Sequence, residues 1–158
     1  MTGFVERWGP LVLAAGGLGL LWLFRTEMTS FDLADALELR SLYSAVVDWS
    51  AIQTGFLFGI FGFVAGKNEG FIAAIRDTPE MAAFSRFMRT AIFLGFIVTL
   101  MSIPLMVSGF EIRDGALWRY AVFSGWSFLT IWSFFAFWRI AYLFGILLRV
   151  RDRPRIPG

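Results

Sequence analysis

The stretch LYSAVVDWSAIQTGFLFGIFGFVAG, residues 42–66, contains one charged residue, Asp48, in a run that is otherwise apolar, small or hydroxyl-bearing. A helix of roughly 20 such residues crosses a hydrocarbon core about 30 Å thick. The apolar residues run continuously rather than alternating with polar ones. That favours a helix, which satisfies its own backbone hydrogen bonds in lipid, over a strand of a barrel.

Working outward from this segment, three more apolar runs qualify, at about residues 8–24, 91–107 and 118–140, the last with a juxtamembrane apolar extension to residue 148. Pro10 suits the first turn of its helix, where a missing N–H has no partner to lose. The expected architecture is all-α: an integral membrane four-helix bundle with short loops, forming a single transmembrane domain over residues 1–158. Composition agrees, with 58% hydrophobic and 16% charged residues, where a soluble domain carries about a quarter charged. The small-residue triplet Ala34-Asp35-Ala36 lies too far beyond Phe24 to serve as a leader-cleavage site, and only Arg7 precedes the run, so the first segment is expected to remain as a span.

Orientation follows from Lys and Arg in the flanks. With the N-terminus inside, the cytoplasmic flanks hold nine: Arg7, Lys67, Arg76, Arg86, Arg89, Arg149, Arg151, Arg153 and Arg155. The outer flanks hold four, Arg25, Arg40, Arg113 and Arg119. Both termini are therefore expected in the cytoplasm of a bacterial-type inner membrane.

The loops carry little chemistry. Glu27, Asp32, Asp35 and Glu38 give the first outer segment an acidic, solvated face. Thr78-Pro79-Glu80 reads as a helix start. From it a stub runs toward span three, its Met81, Phe84, Phe87 and Met88 meeting either the chain's own helices or lipid, with Arg86 and Arg89 reaching headgroups. Asp114-Gly115 marks a turn, and Trp118 and Tyr120 fit an interfacial aromatic belt. The tail from Arg149 and Arg151 onward is a topology-setting positive flank able to contact anionic lipid, and no nucleic-acid partner is implied.

Within the spans, Gly55, Gly59, Gly62 and Gly66 recur at intervals of four, three and four and share a helix face that another backbone can approach closely. The partner is either span one, through Ala15 and Gly19, or the copy of this face in another subunit. Asp48, Gln53 and Arg139 are the polar groups that could bind an ion or line a pore. Asp48 lies near the outer end of its span and Arg139 near the inner end of span four, so the two should not pair within one chain. Pro104 is expected to kink span three, while Trp126, Trp132 and Trp138 suggest an aromatic face on span four.

The chain has no histidine and no cysteine, which removes the usual general base, the usual haem ligand and thiolate metal sites. Lys67 is the sole lysine and stands at a span end, and Asp48 has no second embedded carboxylate for an aspartyl dyad. No enzyme activity, cofactor or metal is expected. The function that fits is a non-catalytic anchoring, assembly or regulatory subunit of a membrane complex, contacting lipid and either other membrane subunits or its own copies. The alternative is a homo-oligomeric channel or membrane-perturbing effector.

Overall fold

The computed structural model describes residues 3–26, 39–66, 77–112 and 116–149. All regular structure among them is helical: α1 (Gly3–Leu23), α2 (Leu39–Gly66), α3 (Pro79–Val107) and α4 (Leu117–Arg149). Three of these, α2, α3 and α4, are long and apolar enough to span a membrane, while the apolar part of α1 is the shorter run Trp8–Leu23.

The helices begin and end where local chemistry dictates rather than where hydropathy changes. Helix α3 starts twelve residues ahead of the expected span, because Thr78 caps it: its hydroxyl accepts from the Met81 N–H at 3.4 Å and Pro79 occupies the first turn. Its other end closes in a Schellman arrangement. Gly109 adopts φ +58°, the Phe110 N–H reaches the Leu105 carbonyl at 3.1 Å and the Gly109 N–H reaches Met106 at 3.4 Å. Gly109 is thus the helix terminator; the Asp114-Gly115 turn lies outside the described residues. Pro104 falls in the last turn of α3, and the helix continues through it to Val107. Helix α1 extends from Gly3 with Pro10 in its interior, not in its first turn.

Helix α4 lies against α1 on one side and α3 on the other, and α2 packs mainly on α3. Shared contacts give the directions. Tyr120 at the start of α4 donates its hydroxyl proton to the Leu21 carbonyl near the end of α1, so these two are antiparallel. Ring contacts Tyr43 to Trp126, Trp49 to Phe134, Phe56 to Phe137 and Phe63 to Phe144 make α2 and α4 parallel. The result is a three-helix core of α2, α3 and α4, with α1 applied to α4. Gly17 permits a close approach there, since a Cβ would stand 2.8 Å from Ile131 Cδ1.

Two apolar clusters fill the core. One joins Leu57 and Ile60 of α2, Met81, Phe84, Met88, Ala91 and Leu94 of α3, and Ala136 and Ile140 of α4. The stub that could have lain in the headgroups therefore packs on the chain's own helices. The other cluster, toward the opposite end, contains Leu39, Tyr43, Leu105, Ile112, Phe123 and Trp126. Outside, large apolar side chains such as Leu23, Ile52, Phe93, Leu100 and Val107 are 65–74% exposed. A surface of that kind is unsuited to water and suited to lipid.

Candidate functional site

Helix α2 has one buried and one exposed face, and each carries polar or small residues among its positions. The inward face carries Ser50, Gln53, Thr54, Leu57 and Ile60, all buried. At about 100° per residue, the opposite face carries Asp48, Gly55, Gly59, Gly62 and Gly66, all exposed.

The inward face forms a polar seam between the two apolar clusters. The Ser50 and Thr99 hydroxyls are 2.7 Å apart, joining α2 to α3. Ser50 Oγ is also 3.0 Å from the Val47 carbonyl and Thr99 Oγ1 2.9 Å from the Gly95 carbonyl, so one hydroxyl donates across the seam while the other donates back to its own helix. Gln53 Nε2 crosses to α4, donating to Ser133 Oγ at 3.0 Å and to the Ser133 carbonyl at 3.4 Å. Trp126 Nε1 donates to Ser102 Oγ at 2.7 Å, joining α4 to α3. Gly95 makes the seam possible: a Cβ there would lie 2.5 Å from Thr54 Oγ1 and 3.7 Å from Gln53 Nε2. The network is incompletely satisfied, since Gln53 Oε1 and the Tyr43 hydroxyl are buried without a hydrogen-bond partner.

Sequence reasoning treated Gln53 with Asp48 as one candidate path. The structure separates them, Gln53 1% exposed inside the chain and Asp48 outside. Asp48 forms no hydrogen bond or ion pair with any described residue. It stands about 27 Å along the helix from Gly66 at 1.5 Å per residue.

The glycine face is open. A Cβ at Gly55, Gly59, Gly62 or Gly66 would meet nothing within 4 Å, and the same holds at Gly19 of α1. The pairing with span one through Ala15 and Gly19 is therefore not formed: α1 uses its contacts on α4. The glycines form an exposed strip without side chains. Phe56 and Phe63 rise on one shoulder, backed by Phe137 and Phe144 of α4, and Phe58 rises on the other, backed by Phe96 of α3.

Arg139 lies on α4 with its guanidinium carbon over the Phe87 ring, 3.8 Å from the centroid, a cation–π contact. It helps to line a groove between α1, α3 and α4. Arg86 and Arg89 are exposed on α3. Arg149 is the last residue of α4, with its side chain outside the described residues, as is all of Arg151. Of the expected aromatic face on α4, Trp126 is buried and Trp138 is 64% exposed, because a spacing of six places successive residues on different sides of a helix. Tyr120 is buried too, pinning α1 rather than joining a surface belt.

The seam has a signature that sequence reading overlooked. Gly95, Thr99 and Ser102, and likewise Ser50, Gln53, Thr54 and Leu57, recur at helical spacing, so small and hydroxyl residues mark the buried side. Among the described residues no three His, Cys, Asp or Glu side chains come together as a metal site would need. The chain belongs, by its fold, to the all-helical proteins with helices able to span a membrane. No protein-family model, curated protein or solved structure matches it.

Proposed function

We propose that the chain is a non-catalytic integral membrane protein that assembles with another membrane subunit through the glycine face of α2. The observation that supports this reading is the uncovered glycine face, with Asp48 exposed in line with Gly55, Gly59, Gly62 and Gly66 and no atom within 4 Å of a Cβ built on any of the four. In lipid, helix association depends on close van der Waals approach and on polar groups that find partners across the interface. A glycine floor supplies the first. Asp48 supplies the second, since a carboxylate at the edge of the hydrocarbon core is costly until paired. A polar or basic group on the partner helix is the complement.

The setting is a bacterial-type inner membrane, crossed four times with both termini cytoplasmic. Its support is the excess of Lys and Arg on the flanks joined to the N-terminal side. The channel alternative has less support: the seam around Gln53 is stopped at either end by an apolar cluster, and Gln53 does not share the uncovered face with Asp48.

The test is native mass spectrometry of the tagged chain extracted mildly from its host, together with its Gly59→Leu variant. The expected result is a stoichiometric foreign membrane subunit with the wild type that is lost from the variant. Recovery of the wild type as a monomer, or as a closed homo-oligomer without other proteins, would overturn the subunit reading; the second outcome would favour the channel.

A further inference from the structure

A second feature of the exterior lies where the end of α2 meets the start of α3. A groove of about 180 Å³ opens there between Phe61 and Val64 of α2 and Met81, Ala82, Ser85 and Met88 of α3, and none of the four α2 glycines lines it. Apart from Ser85, these side chains are apolar. We infer that this groove seats an acyl chain of one anionic phospholipid, whose phosphate is held at its rim by Arg86 and Arg89.

Three observations select this occupant. The first is charge. Arg86 follows Ala82 by four residues and Arg89 follows Ser85 by four, so each arginine stands on the same side of α3 as a groove residue one turn earlier. Side chains on a helix lean back over the preceding turn, which carries both guanidinium groups toward the groove's rim. Both residues are exposed. Glu80, the acidic residue in the first turn of α3, is nine residues from Arg89 and therefore half a turn round the helix, on its far side. The rim is thus a local excess of positive charge, and two guanidinium forks match the oxygens of a phosphate.

The second is depth. No charged residue occurs from Trp49 to Gly66, which places one edge of the hydrocarbon core at the end of α2. Phe61 stands only about 7 Å inside that edge at 1.5 Å per residue. The groove runs from the edge into the acyl layer, and arginines beside it reach headgroup level along their apolar stems. The third is size. A helix with its side chains is about 10 Å across, too broad for a groove of this volume, whereas a single acyl chain enters it. A zwitterionic lipid offers the chain without net charge for the arginines, and a small soluble anion offers charge with nothing for Phe61 and Met88. An anionic phospholipid supplies both.

The probe is purified full-length chain in mild detergent, examined by native mass spectrometry with phosphatidylglycerol, phosphatidylcholine or glycerol 3-phosphate. One phosphatidylglycerol per chain should be retained in clear preference to phosphatidylcholine. Arg86→Gln and Arg89→Gln should each lower its retention about fivefold, the worth of one basic side chain beside an anionic membrane surface; both positions are exposed, so the core is left as it is. Ala82→Trp, at an exposed position on the wall, fills the groove while keeping both charges and should lower retention as well. Arg40→Gln removes one exposed charge at the opposite end of α2 and should leave it unchanged. Equal retention of the two lipids by the wild type, full retention in Ala82→Trp, a loss in Arg40→Gln equal to that in Arg89→Gln, or displacement by glycerol 3-phosphate would overturn the inference. None of these outcomes depends on which protein, if any, occupies the glycine face.

Discussion

Gly95→Ala is the substitution on which the packing argument is most exposed. The added methyl would stand 2.5 Å from Thr54 Oγ1 and 3.8 Å from Thr54 Cβ. Thr54 cannot simply turn away, because its hydroxyl donates to the Ser50 carbonyl at 2.7 Å, and Ser50 in turn meets Thr99 at 2.7 Å. Overpacking of a tight interior costs about 1–3 kcal/mol, and alanine recovers up to about 1 kcal/mol of that through helix propensity. With the full offset the net expectation is a destabilisation of at most about 2 kcal/mol. Thr54→Ala alone removes one hydrogen bond, of order 0.6 kcal/mol in a membrane protein. The double variant should be no less stable than Thr54→Ala by more than about 0.5 kcal/mol, because the clash is gone. Unfolding in mixed micelles of mild and denaturing detergent, followed by circular dichroism and tryptophan fluorescence, measures all four corners of the cycle. A Gly95→Ala protein more stable than the wild type, or a double variant that shows the plain sum of two losses, would refute the close approach of α2 to α3.

Ser102→Ala leaves the buried Trp126 Nε1 without its acceptor and is expected to cost about 1–3 kcal/mol; adding Trp126→Phe should lower that cost, as the same unfolding assay reads. Gln53→Leu removes an amide whose Oε1 is already unsatisfied, so stability should change by no more than about 1 kcal/mol, and a large loss would indicate a partner for Oε1. Gly17→Leu drives a side chain into the space of Ile131 Cδ1, 2.8 Å from the glycine's Cβ position. It should weaken the docking of α1 on α4 and lower stability in the same unfolding assay, whereas Gly17→Ala should be tolerated by a rotamer shift of Ile131.

Much of the fold was legible because hydropathy reports solvent, and four apolar runs in the sequence correspond to the four helices. Helix ends were legible only where a capping group was recognised: Thr78-Pro79-Glu80 reads as a helix start, whereas the stop at Gly109 is not marked by hydropathy. Thr78 and Pro79 start α3 well ahead of its apolar run, and Ser108 with Gly109 stops it. The glycine face was legible from spacing alone, but its partner was not, since the choice between α1 and another subunit depends on how α1 leans, and Gly17 and Tyr120 commit it to α4. Sequence depth placed Asp48 and Gln53 together; helical angle sets them on different sides of α2. Arg139 was recognised as unusual, yet its contact with Phe87 joins residues of α3 and α4 whose proximity no local pattern encodes.

The central claim is that protein, not lipid, covers the glycine face of α2. Site-specific photo-crosslinking in native membranes tests it most directly, with a benzophenone side chain placed in turn at Gly55, Phe58, Gly59, Gly62 and Phe93. Protein adducts are expected at Gly55, Gly59 and Gly62, with Phe58 weaker and Phe93, which is 65% exposed on α3, giving lipid adducts alone. Lipid adducts at all five positions, or protein adducts spread evenly among them, would contradict it.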